Sequence, residues 1–234
     1  MPTNAGKSDA DMLVQGNDAE MQAAYQQQLT ESTEELATLT PESDPLDRAK
    51  LLLKKVNALV GIGRKTETWD EAKQAFDLFI QHHHWEEAAE CCDVLYQAQK
   101  SDSIKALVHG VWLSVSFPVD PELTVVLLNH IVEETPPDSD GAAVAAATAH
   151  YVVGIRADDK TFEDLNFLTT NLIAQVAGAH SQVDSQEVLD FWIKKLELDD
   201  PAVFLPRLGE VLNYVVKEDE WWFDRDALRA FFPQ

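Results

Sequence analysis

From residue 45 onward, apolar side chains recur every three or four positions, a spacing that lays one stripe along an α-helix. Ser43-Asp44-Pro45 opens the first such segment, with Asp44 suited to cap it and Pro45 to its first turn. Leu46, Ala49, Leu53, Val56 and Val60 form its stripe, and Gly61 and Gly63 end it. Thr68 with Glu71 reads as a capping box for a second helix striped by Trp69, Ala72, Phe76, Phe79 and Ile80. A turn at His82-His83-His84 leads to a third, with Trp85, Ala88, Cys92, Leu95 and Tyr96. A fourth begins at Ser101 to Ser103, buries Ile104, Leu107, Val108, Val111, Trp112 and Val115, and stops before Pro118. Val111 to Phe117 is the one stretch where a strand competes.

Asp120-Pro121 starts a fifth helix, and Thr135-Pro136-Pro137-Asp138 breaks the pattern. The alanine-rich stretch Ala142 to Val153 predicts a central helix that its neighbours approach closely. A long helix follows with Phe162, Leu165, Leu168, Leu172 and Val176, then one with Val188, Leu189, Trp192, Ile193 and Leu196, capped by Asp184 or Ser185. Asp199-Asp200-Pro201 opens the next, in which Pro206 is expected to kink or restart the helix. The pattern predicts an all-α fold of about ten helices, a multi-helix bundle or irregular α-solenoid. It occupies residues 45–234 as one domain, with a candidate sub-boundary near 135–140.

Residues 1–44 differ. They carry nine acids against Lys7 alone, much Gln, Ser and Thr, and no Trp or Phe. Too little apolar surface is present to offset ordering entropy, which predicts a flexible acidic N-terminal arm. Within it Met21, Ala24, Tyr25, Leu29, Leu36 and Leu39 could line a weak helix that forms on contact.

Charge adds a second global fact: the 234-residue chain has a formal net charge of −23. Such a surface repels nucleic-acid phosphates and anionic lipid, so direct binding to nucleic acid or a membrane surface is not expected. Three uses of the charge remain: a solubilising surface, attraction of a basic protein partner, and imitation of a nucleic-acid backbone. No apolar run of about 18 residues predicts a membrane span, and Met1 to Gly16 has no secretory pattern. Cys91 and Cys92 are the only cysteines and are adjacent, which suits a reducing cytoplasm better than a disulfide framework.

Phe76 to Tyr96 resembles one tetratricopeptide helical hairpin. Phe79 takes the aromatic position of the first helix, Trp85-Glu86-Glu87-Ala88 opens the second, and Ala88 takes the small position where the helices touch. Phe76 stands where the family has glycine, Leu95 where it has a small residue, and no closing proline follows. The likeness covers one repeat unit, without a second copy at a period of about 34 residues. It implies an antiparallel helix pair and a scaffold that binds protein segments without chemistry.

Candidate chemistry is sparse. His82, His83 and His84 with Glu87, Glu90, Cys91 and Cys92 offer transition-metal donor types, but their spacing matches no zinc motif and lacks a C-x-x-C pair, so no metal is expected. No phosphate-binding glycine loop, G-x-S-x-G elbow or H-E-x-x-H is present, and His109, His130, His150 and His180 are isolated. The reading is of a protein that is not an enzyme and carries no cofactor. The C-terminal segment gathers Trp221, Trp222, Phe223, Phe231 and Phe232 among acids. These residues either dock on a partner, as binding hot spots do, or fold back to seal the core. An adaptor, assembly or accessory factor, or inhibitor is the first expectation; an acidic decoy for a nucleic-acid-binding protein is the second, and a metal or redox role through the turn of His82 to His84 with Cys91 and Cys92 is the third.

Overall fold

The computed structural model describes residues 9–232, with side chains from residue 18 onward. Among the described residues there are eleven α-helices and no strand. They are α1 (Asp9–Thr38), α2 (Pro45–Gly61), α3 (Trp69–Gln81), α4 (Trp85–Gln97), α5 (Ser103–Ser116), α6 (Pro121–Glu134), α7 (Asp140–Arg156), α8 (Phe162–Ser181), α9 (Gln186–Lys195), α10 (Pro201–Val215) and α11 (Arg225–Arg229). None is long and apolar enough to cross a membrane. From α1 to α8 each helix packs on the next in the chain, α2 also reaches α4, and α6 reaches α8. This is repeat-like stacking, because a short amphipathic helix can bury its stripe only against a neighbour. The chain then doubles back: α10 lies on α7 and α5.

Aspartate followed by proline starts three helices as expected. Asp44 Oδ1 accepts from the Leu46 amide at 2.9 Å, Asp120 Oδ1 from Glu122 at 2.8 Å, and Asp200 Oδ1 from Ala202 at 2.9 Å. Gly63, at φ +81°, turns the chain after α2. Thr68 departs from its expected capping box. Its buried hydroxyl donates back to the Lys65 carbonyl at 2.8 Å, and Glu71 instead pairs with Lys55 at 2.6 Å. Pro206 does not interrupt α10, which continues to Val215 with Phe204, Leu208 and Leu212 all buried on one side. Val111 to Ser116 is helical, within α5.

One organisational expectation is corrected. Residues 18–38 of the acidic N-terminal segment are helix α1, laid along α2 rather than an unattached arm. Leu29 and Ser32 are buried there, the Tyr25 ring rests over Gly61, and Glu31 lies 3.6 Å from Lys54. The Gln22 amide donates to the Gly61 carbonyl and the Gln28 amide to the Lys54 carbonyl, each at 2.9 Å. Glutamine hydrogen bonds and a narrow apolar strip replace the broad stripe that sequence reasoning sought. Residues 1–8 lie outside the described residues. The break at 135–140 is a turn within one body, since α6 and α7 pack tightly across it and one core runs from Ala49 to Leu228.

Small side chains occupy the centre. Ala142 to Ala149 of α7 are all buried between α6, α8 and α10. At Gly110 of α5, a Cβ would stand 2.7 Å from Cys92 Cβ on α4 and 3.2 Å from Leu127 Cδ2 on α6. Gly110→Ala should therefore be destabilising. Its helix-propensity gain of about 1 kcal/mol is outweighed by an overpacking cost of about 1–3 kcal/mol, because the Cβ of Cys92 cannot rotate away. Gly209→Ala in α10, where a Cβ meets nothing within 4 Å, should be neutral or stabilising. Urea unfolding of the two variants checks the contrast.

Candidate functional site

The C-terminal aromatics fold back onto α3, α4 and α5. After α10 the chain passes through a 3-10 turn at Glu218–Glu220, anchored by Glu220 on Lys105 at 2.8 Å. Trp222 then stacks on His109 with ring centroids 4.3 Å apart and meets Phe76 edge-on at 5.4 Å. Lys73 Nζ sits 5.0 Å from the Trp222 ring and the Arg225 guanidinium 4.1 Å from that of Trp221. Phe223 lies 5.3 Å from Trp112, and Phe232 is 5.4 Å from Phe117, which itself stacks on Trp85 at 4.3 Å. Trp221, Trp222, Phe223 and Phe232 are half-buried against the main core. Phe231 is 49% exposed, over His83 at 4.2 Å. Four of these residues pack against the core, and Phe231 is the most exposed of the five.

His109 fixes the strap. It is fully buried; its Nδ1 faces the Lys105 carbonyl, which can only accept, so Nδ1 carries the proton. Its Nε2 then accepts the Trp222 backbone N–H at 3.0 Å. Burial holds the imidazole pKa down to about 4, against a partial upward pull from the Lys105 carbonyl, and Lys73, Lys105 and Arg225 add repulsion. The ring is a neutral structural acceptor.

The His/Cys turn does not converge on a metal site. Among the described residues no three His, Cys, Asp or Glu side chains gather as ligands. His83 adopts a left-handed φ of 62° and stacks on Trp85, while His84 Nδ1 lies 3.1 Å from Glu87. Cys91 and Cys92 are buried in α4, and burial raises both thiol pKa values well above normal, disfavouring the thiolate that ligation or nucleophilic attack needs. His130 sits between Asp93 at 3.4 Å and Glu133 at 3.1 Å, and those carboxylates raise its pKa. The adjoining cavity of about 480 Å³, with Tyr96, Lys65 and Lys100 in its wall, is polar and open.

A surface that sequence reasoning missed lies on α8 and α9. Leu165, Thr169, Leu172 and Val176 are the buried stripe of α8, so Leu168 and Phe162, expected inside, are exposed. Phe167 is 70% exposed, Leu168 52%, and Phe191 of α9 68%. Leu168 borders a groove of about 240 Å³ between α6 and α8, lined also by Val125, Val126, Asn129, Leu172 and Gln175. The available signal was Phe167, an aromatic residue off the period of the predicted stripe. The chain matches no protein-family model, no curated protein and no solved structure.

Two outcomes follow for the strap. Trp222→Ala should lower stability by about 2–4 kcal/mol, a half-buried aromatic's share of the cost of a core truncation, whereas Phe231→Ala should cost under about 1 kcal/mol. Thermal and urea unfolding of both variants checks this, and equal losses would contradict the assigned packing. For His109, the unfolded ring binds a proton near its ordinary 6.5 while the folded ring does not until about 4. Its contribution is thus intact above pH 6.5, erodes as pH falls and is gone below about 4, a loss of up to about 3 kcal/mol. His109→Gln, which keeps an acceptor for the Trp222 amide, should lose less stability than wild type across that window. Urea midpoints at matched pH values read the difference, with all the carboxylates common to both proteins.

Proposed function

We propose that this chain is a non-catalytic, cytoplasmic helical scaffold that binds a protein partner, as an adaptor, assembly factor or inhibitor does. The observation that carries the reading is the exposure of Phe167 and Leu168 on α8 and of Phe191 on α9 in a chain of net charge −23. Isolated exposed apolar residues are ordinary, but large aromatics on neighbouring helices of a highly charged surface are a common mark of a binding patch. Repeat-like stacking supports a scaffold role, since such stacks present extended surfaces. In keeping with the hairpin likeness at Phe76 to Tyr96, Phe79 and Ala88 are both fully buried.

The second reading, a decoy for a nucleic-acid-binding protein, is favoured by the net charge alone. Affinity capture from the native host at low and high salt separates the two. The scaffold reading expects a partner retained by the wild type, lost from the Phe167→Ser/Phe191→Ser double variant and not displaced by added DNA or RNA. Displacement by nucleic acid would shift the assignment to the decoy. An unchanged set of captured proteins from the double variant would remove the reason for the scaffold reading.

A further inference from the structure

The groove between α6 and α8 combines two features that specify a ligand. Val125, Val126, Leu168 and Leu172 give it an apolar lining, joined by the polar side chains of Asn129, His130, Asn171 and Gln175. Val126 of α6 and Leu168 of α8 both line it and both are exposed, so no element of the described chain covers them. Its volume of about 240 Å³ falls below the roughly 300–1,000 Å³ of small-molecule pockets, and suits a row of inserted side chains.

Charge supplies the second feature. The two helices that form the walls carry Glu122, Glu133 and Glu134 on α6 and Glu163 and Asp164 on α8, with no Lys or Arg on either. Glu122, Glu163 and Asp164 enter no ion pair among the described residues. His130, the one basic group at the groove, is already held by Asp93 and Glu133. A second copy of this chain would bring another −23 against these carboxylates, and an anionic membrane or nucleic acid would be repelled as well. A helix with aliphatic residues on one face and Lys or Arg on its flanks satisfies both features, in the helix-in-groove mode read by anchors at i, i+3, i+4 and i+7.

We propose that the α6/α8 groove is the docking site for a basic amphipathic helix of a protein partner, an inference that rests on the protein-binding reading above and names its site and its partner's chemistry. Leu168, Val126 and Leu172 take the partner's apolar anchors. Glu122, Glu163 and Asp164 meet its flanking cations.

The test uses the full chain and three synthetic peptides: a Leu/Lys amphipathic helix, the same helix with Glu replacing Lys, and a scrambled Leu/Lys sequence of identical composition. Fluorescence anisotropy should show one-to-one binding of the first peptide, weakening with salt, and markedly weaker binding of the other two. Val126→Ser/Leu168→Ser, both at exposed positions, should weaken that binding by about tenfold or more. Glu163→Gln/Asp164→Asn should reduce both affinity and salt dependence, with circular dichroism confirming the fold of each variant. Equal binding of the scrambled peptide, or Val126→Ser/Leu168→Ser binding like wild type, would overturn the groove assignment. If the groove variants bind normally while host-partner capture still depends on Phe167 and Phe191, only this inference fails. If that capture is also indifferent to Phe167 and Phe191, the scaffold reading fails with it.

Discussion

Close approach of helix backbones through the middle of the stack is the constraint on which the other features depend. Ala88, Ala89, Cys91 and Cys92 on α4, Ala106 and Gly110 on α5, and Ala142 to Ala149 on α7 are all buried and small. Small side chains let neighbouring helices sit near each other, and dense packing there leaves little room for a methyl group, as the 2.7 Å approach at Gly110 illustrates. Bulk is therefore displaced to the edges. Phe76, Trp112 and Phe117 collect along α3 and α5, where those helices cannot cover them alone. The strap from Trp221 to Phe232 completes that cover, with aromatic pairs each adding about 0.5–1.5 kcal/mol beyond simple burial. A glycine on α5 and a tryptophan near the C-terminus are in this sense parts of one packing solution.

The few cations are used mainly to hold this arrangement together. Arg156 at the end of α7 donates to the Ser114 carbonyl at 2.6 Å and the Val115 carbonyl at 2.9 Å, satisfying the negative end of α5. Burial lowers its pKa, yet no carboxylate is its hydrogen-bond partner; backbone oxygens take that place. Asp140, at the start of α7, accepts from Arg207 of α10 at 3.0 Å and faces His180 of α8 at 3.1 Å. Lys105 secures the strap through Glu220. With 18 Lys and Arg against 41 Asp and Glu, such placements leave most carboxylates without a cation. The excess negative charge is thus a property of the whole surface, denser where cations are absent, as along α6 and α8.

Helix class and many boundaries were legible because they rest on local chemistry. The aspartate caps at Asp44, Asp120 and Asp200 need only neighbouring residues, and so does the alanine run of α7. What escaped depends on distant partners. The docking of α1 relies on glutamine side chains reaching backbone oxygens of α2, a pairing without a periodic signal. Thr68 looked like a cap until the hydroxyl found the Lys65 carbonyl and Lys55 drew Glu71 away. The stripe of α8 was misread because Leu168 fits an apolar period as well as Thr169 does; Thr169 is the one inside, its hydroxyl donating to the Leu165 carbonyl at 2.8 Å. That substitution of a self-satisfied threonine for a leucine is what places Leu168 on the surface.

A solubilising surface would account for the carboxylates but not for the apolar groups set among them. Within two turns of α8, Glu163 and Asp164 are followed by Phe167 and Leu168, all exposed. The two kinds of group act over different distances. Carboxylate fields extend about a Debye length, roughly 10 Å at 0.1 M salt, and raise the frequency of encounter with a cation-bearing partner. Apolar contact acts only once surfaces touch and chiefly slows dissociation. On the proposed reading, a surface that carries both in the same two turns attracts a partner and retains it, whereas the strap's aromatics are partly buried and stack on His109, Phe76 and Trp112.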